Sequence, residues 1–230
     1  SRPYEARQAE QELKQQQKEA QRNQSCVFNG VKYIFSNSDT KNLIISHIIF
    51  DSAMPAIALY FESSMHKVGM STSEITKALF MVPVVYATIT FISGFIADKL
   101  GRKVTVTGFS ITCIIGYSLF VAGILCGWNP YLIGFFAGLY QGSYWIGRDY
   151  MNVMMTEKVP TDIRASVVGA EGLLVIIGLA VGYLLAVVGM LVFPIWWVCL
   201  AISVAAVGVA ATMFTLKVKE TKGVNLDDIQ

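Results

Sequence analysis

Asp51 and Arg148 each stand inside a long apolar run, and around them gather the side chains best able to do chemistry. His47, Asp51 and Pro55 are spaced i, i+4 and i+8, so a helix through them puts all three on one face. Proline has no N–H, which leaves the carbonyl of Asp51 without its ordinary helical partner. An imidazole, a carboxylate and a freed carbonyl make a site for a proton, a cation or a hydrogen-bonding solute. A buried Asp–His pair that only supports packing would use the same groups. Further along, Gln141, Tyr144, Trp145, Arg148 and Asn152 form a polar strip on a second helical segment. An arginine there can clamp a carboxylate or phosphate, or pair with neighbouring Asp149 or with Glu171. Tyr144 and Trp145 can stack on a ligand or simply pack. Nothing points to an enzyme, a metal or a cofactor: there is no nucleophile–base pair and no phosphate loop. The four cysteines, Cys26, Cys113, Cys126 and Cys199, lack metal-ligand spacing.

The elements that carry these residues are set by composition. Of 230 residues, 54% are hydrophobic and only 15% charged, against roughly 25% charged in a soluble domain. Residues 1–41 hold 12 of the 34 charges. A formal net charge of +2 is too small and too scattered for a nucleic-acid partner. A bilayer core about 30 Å thick takes around 20 apolar residues per helix. Six stretches reach that length, at 42–61, 78–97, 104–126, 130–155, 166–188 and 191–216. They are twice as long as barrel strands and do not alternate in polarity. The expected fold is all-α, a polytopic bundle of six transmembrane helices, with the stripe Gly134, Gly138 and Gly142 permitting close helix contact.

Charge asymmetry sets the expected orientation. Residues 1–41, 98–103, 156–164 and 217–222 carry 15 Lys and Arg, whereas the opposite loops hold only Lys67 and Lys77. Both ends are therefore expected in the cytoplasm, with 1–41 a polar, partly helical linker and 217–230 a tail. Residues 1–24 contain no apolar core suited to a secretory signal. A charged linker opening on Ser rather than Met reads as the second part of something longer.

Two loops carry motifs. Gly94-Phe95-Ile96-Ala97-Asp98-Lys99-Leu100-Gly101-Arg102-Lys103 follows the second stretch, and Glu157-Lys158-Val159-Pro160-Thr161-Asp162-Ile163-Arg164 follows the fourth. Read alone, each is a helix end anchored by cations. Together they resemble the major facilitator superfamily. The first is similar to that superfamily's G-x-x-x-D-K-x-G-R-K signature loop, and the second to the E-x-x-P-T-x-x-R loop of its sugar-porter-like branch. Lys219-Glu220-Thr221-Lys222-Gly223, followed by Leu226 and Ile229, is similar to that branch's P-E-T-K-G ending, with Lys219 in place of the proline. The resemblance covers about 42–229 and fits the C-terminal half of a twelve-helix transporter.

That resemblance implies secondary active transport by alternating access, with two six-helix bundles rocking about a site near the bilayer midplane. It implies a cytoplasmic latch of Gly94, Asp98, Lys99, Gly101, Arg102, Lys103, Glu157, Pro160 and Arg164. In that latch Asp98 sits near a helix N-terminus, and Arg102 and Arg164 share Glu157. The substrate or proton site would comprise Asp51, His47, Gln141, Tyr144, Trp145 and Arg148. The branch's Gln-rich first-helix segment and its Pro-x-x-Trp element are both missing. The expected solute is thus a small polar or anionic one, moved with protons across a plasma (inner) membrane. The partners expected are the bilayer and either an N-terminal transporter half or a second copy in a parallel homodimer. A membrane sensor or scaffold that has lost transport is the reading from a different class.

Overall fold

The computed structural model describes residues 27–223. The expectations for 1–26, including most of the linker, and for Leu226 and Ile229 lie outside those residues. A helical segment at 27–36 leads into α1 (Ser38–Asp51), a short π-helical turn (Pro55–Leu59), α2 (Phe61–Lys67), α3 (Thr72–Leu100), α4 (Arg102–Cys126), α5 (Pro130–Glu157), α6 (Arg164–Met190) and α7 (Ile195–Lys217). No strand occurs among the described residues.

Local chemistry explains where these helices begin and end. Asn37 caps α1 by accepting the N–H of Asp39. Ser71 and Glu74 form a reciprocal capping box at the start of α3. Asn129 caps α5 just before Pro130, which is preset for a first helical turn. Gly127 closes α4 in the left-handed conformation, at φ 64°.

Five segments are long and apolar enough to cross a membrane: Ser38–Leu59, Thr72–Leu100, Arg102–Cys126, Arg164–Met190 and Ile195–Lys217. The expected sixth falls on α5, which at 28 residues is long enough. Its polar strip, with Gln141, Ser143, Arg148 and Asp149, dilutes the hydropathy that marks the others. The expected first span, 42–61, is not one helix: regular α-helix stops at Asp51, and the chain re-forms as a π turn beginning at Pro55.

Glycine sets how closely the helices approach. Gly134 faces the carbonyl of Ala78, Gly138 the backbone of Val82, and Gly142 the side chains of Ile89 and Tyr86, so the stripe seats α5 on α3. Gly178 and Gly182 do the same for α6 on α1, opposite the carbonyls of Ile48 and Ser52. This second stripe repeats the four-residue glycine spacing of the first, with two members instead of three. Exposed Phe80, Phe91 and Phe95 on α3, and Leu173, Ile176, Ile177 and Leu184 on α6, give the bundle an apolar exterior. Such a surface suits lipid as solvent.

Candidate functional site

The break in α1 leaves backbone carbonyls to satisfy where water is scarce. Two fully buried tyrosines reach carbonyls of the π turn that follows it. Tyr117 of α4 donates to the carbonyl of Ala56 at 3.3 Å, and Tyr140 of α5 to that of Ile57 at 3.4 Å. The two rings pack edge to face, with centroids 4.5 Å apart. They pin the π turn, and the turn fixes Asp51 at the end of α1.

Asp51 is 4% exposed and is held by groups from α5. Arg148 Nε donates to its two oxygens at 2.9 and 3.2 Å, and the Tyr144 hydroxyl donates to Oδ1 at 3.0 Å. Charge assistance makes these the stronger kind of hydrogen bond. Tyr144 is locked in turn by Phe50, one residue before Asp51, with the rings stacked at 5.0 Å. The Arg148 guanidinium lies 5.5 Å from the centre of the Trp145 ring, within cation–π range. The pairing of Arg148 with Asp149 or Glu171, weighed on sequence, is not what forms. Its partner is Asp51, 97 residues away.

Glu171 of α6 instead takes His47. Nδ1 of the imidazole lies 3.0 Å from Glu171 Oε1, and both residues are buried. Nε2 lies 3.9 Å from Asp51 Oδ1 and has no hydrogen-bond partner. His47 thus bridges two carboxylates rather than pairing with Asp51 alone. Beside the cluster opens a cavity of about 130 Å³ lined by Asp51, Met54, Trp145, Arg148, Gly172, Val175, Ile176 and Leu179. Gln141 does not line it. Of the six site residues expected from sequence, Asp51, His47, Tyr144, Trp145 and Arg148 come together, and Gln141 does not join them. Glu171 entered the sequence reading only as a possible partner of Arg148, because nothing local ties residue 171 to residue 47.

A second charged cluster forms where α3, α5 and α7 end and α4 begins. Arg102 Nε lies 3.3 Å from Glu157 Oε1, and the Thr221 hydroxyl also donates to Glu157. Glu220 closes the N-terminus of α4, accepting the N–H groups of Arg102 at 3.1 Å and Lys103 at 3.0 Å. Partial burial pushes the Glu220 carboxyl up. The backbone N–H groups of Lys103, Lys222, Thr221 and Arg102 outweigh that effect and hold it below the ordinary glutamate range. Gly101, at φ 98°, is needed twice over: few other residues adopt that backbone, and a Cβ there would crowd Glu220 Oε2 at 2.6 Å. Lys222 donates to the carbonyl of Lys99, and Lys158 reaches both Asp39 and the carbonyl of Lys219.

Two expectations need correcting here. Asp98 is not at a helix N-terminus; it lies in the last turn of α3, its side chain 80% exposed, and touches Arg102 only at 3.8 Å. Glu220 is the anion at the N-terminus of α4. Nor does Arg164 share Glu157. Its guanidinium bonds the carbonyl of Val159 and the hydroxyl of Thr161, and among the described residues it meets no carboxylate. Pro160 starts the turn before α6, its carbonyl accepting the N–H of Ile163. A Cβ on Gly94 would meet nothing within 4 Å, so no close packing requires that glycine.

A bundle of long apolar helices, with buried charges at mid-length and a loop clamp at one end, is the build of a multi-pass membrane transporter. The family described as Sugar (and other) transporter matches residues 4–230. The chain belongs to that family, and with it to the sugar-porter branch of the major facilitator superfamily, whose members carry sugars or related small solutes and are not enzymes. None of the curated proteins compared with the chain matches it.

Proposed function

We propose that this bundle is one half of a proton-coupled secondary transporter for a small polar or anionic solute, working by alternating access. The observation that carries the reading is the Arg148–Asp51–Tyr144 contact at the wall of the 130 Å³ cavity. With Asp51 ionised, Arg148 is tied to it. A proton arriving on Asp51 cancels the charge that holds the guanidinium and frees it toward the cavity. There its fork, with Trp145 beside it, meets a hydroxyl-bearing or anionic solute. Loading of the proton and loading of the solute are then linked through one side chain.

The second cluster acts as the latch at the cytoplasmic end. Arg102–Glu157 and the Glu220 cap hold the loops between helices closed in one state, and they part in the other. Partly exposed pairs suit that task, because each is worth only about 0.2–1 kcal/mol and breaks cheaply once per cycle.

Substitution of Asp51 by Asn tests the coupling. In membrane vesicles loaded with a panel of sugars and small organic anions, pH-driven accumulation collapses while solute exchange without a gradient persists. Accumulation that survives Asp51→Asn at the wild-type level would rule out Asp51 as the coupling carboxylate.

A further inference from the structure

The buried cluster has an odd charge count. Asp51 and Glu171 are two carboxylates whose side chains are only 5% and 3% exposed, yet a single cation, Arg148, stands among them. An unbalanced charge in such surroundings is expensive to keep. Among the described residues the other helices offer nothing to cancel it. Apart from Glu171, α6 has only Arg164 at its first turn, and α7 has only Lys217 at its last. On α5, Asp149 adds a negative charge on the exposed side, and Tyr144 is neutral. The group placed to make up the deficit is His47, fully buried between the two carboxylates with Nε2 unpartnered and turned toward Asp51.

We infer that the His47–Glu171 pair is a second proton site, and that one proton alternates between it and Asp51. With Asp51 ionised and tied to Arg148, the pair holds the proton, and Asp51, Arg148, Glu171 and His47 sum to zero. With Asp51 protonated and Arg148 free, the pair gives its proton up, and the same four groups again sum to zero. Transfer inward runs through the ring. The Asp51 carboxylic O–H breaks as its proton joins His47 Nε2. The Nδ1–H bond breaks as that proton joins the Glu171 carboxylate, leaving a neutral imidazole. The reverse transfers, from Glu171 to Nδ1 and from Nε2 to Asp51, return the proton, so the four groups stay neutral in both states. The scheme deepens the proton-coupled reading and rests on Asp51 as the carrier, but its test needs no solute.

The chain has two histidines, and His66 lies outside the cluster, half-exposed beside Glu62. Its replacement by Asn leaves His47 as the single imidazole. The measurement is the 15N signal of labelled His47 against pH, with the full chain in lipid nanodiscs and the proton as the only ligand. Asp51→Asn, a neutral stand-in for the loaded state, moves the midpoint down by about one pH unit or more, and Arg148→Gln moves it up. Tyr144→Phe keeps the ring and removes one donor to Asp51, so it guards against loss of the fold in the harsher variants. It moves the midpoint down by about half a unit. Midpoints that stay at the wild-type value in all folded variants overturn the shared proton. Coupled midpoints with unchanged accumulation in Asp51→Asn leave the shared site standing and remove the transport role. Uncoupled midpoints with collapsed accumulation do the reverse.

Discussion

The molecule holds two arginine–carboxylate contacts built to opposite specifications. Arg148 and Asp51 meet within the bundle, where the carboxylate is 5% exposed and its further hydrogen bond comes from the Tyr144 hydroxyl of α5. Arg102 and Glu157 meet at one end, with both side chains about a fifth to a quarter exposed and much of the bonding supplied by backbone N–H groups and the tail. Water can replace a lost partner at the end of the bundle. At Asp51 it cannot, although the Arg148 side chain is 26% exposed, so the carboxylate depends on the continued presence of its protein partners. The inner contact thus holds only as a set, whereas the outer one, a clasp of side chains, backbone and tail, tolerates the loss of a member.

The sharpest way to break that contrast is to remove one inner partner. Arg148→Gln leaves Asp51 buried without its cation and lowers stability in detergent by about 3–5 kcal/mol near neutral pH. The double variant Asp51→Asn with Arg148→Gln recovers most of the loss, since neither charge remains. Chemical unfolding followed by tryptophan fluorescence reads both. A single-variant loss below about 1 kcal/mol would put water at Asp51 and dissolve the distinction.

A smaller effect comes from the helix contact that sets the inner geometry. A Cβ at Gly182 overlaps the carbonyl oxygen of Ser52, next to Asp51, whereas one at Gly94 meets open space. Gly182→Ala therefore lowers stability by about 1–3 kcal/mol, and Gly94→Ala raises it slightly through helix propensity, by up to about 1 kcal/mol. Equal melting temperatures for the two variants would show that α1 and α6 do not pack as described.

The smallest effect belongs to the clasp and depends on pH. Glu220 is held below the ordinary glutamate range in the folded protein, so its contribution is full above that range. The contribution fades as pH falls through the lowered folded value. Wild type exceeds Glu220→Gln at neutral pH by about 0.3–1 kcal/mol, the value of an anion at a helix N-terminus. The two melting curves should merge in acid. A gap that persists unchanged at low pH would mean that Glu220 acts by shape and not by charge.

Much of this was legible in the sequence, because the membrane imposes a length and an apolar composition that survive any tertiary arrangement. His47 and Asp51 could be placed on one face from i, i+4 spacing, and Tyr144 and Arg148 likewise on α5. What spacing could not give was pairing across helices. Asp51 lies 97 residues from the guanidinium that holds it, and Glu171 lies 124 residues from the imidazole it meets. In the clasp, Arg102 and Glu157 pair as their motifs imply, but the anion at the helix start is another for a related reason. Asp98 is close in sequence to Arg102, but α3 ends there and turns its carboxylate outward. The tail returns from 118 residues away to bring Glu220 to the same helix start. The break in α1 was half visible: Pro55 announced a lost hydrogen bond, while the π turn depended on two tyrosines from other helices.

That π turn bears on how Asp51 can be re-aimed. A regular helix transmits rotation rigidly, so turning one residue of it drags both ends. The chain from Pro55 to Leu59 is wound more loosely, and π turns often mark functional sites. Slipping its wider loop by one position would swing the preceding segment through about 100° per residue. The residues beyond it would keep their seats. That motion would give up two neutral hydrogen bonds, from Tyr117 and Tyr140, together with the Arg148–Asp51 contact and the seating of Ile48 and Ser52 on Gly178 and Gly182, but not the winding of a whole span. The first helix is in this sense a jointed rod, with its charge fixed at the joint.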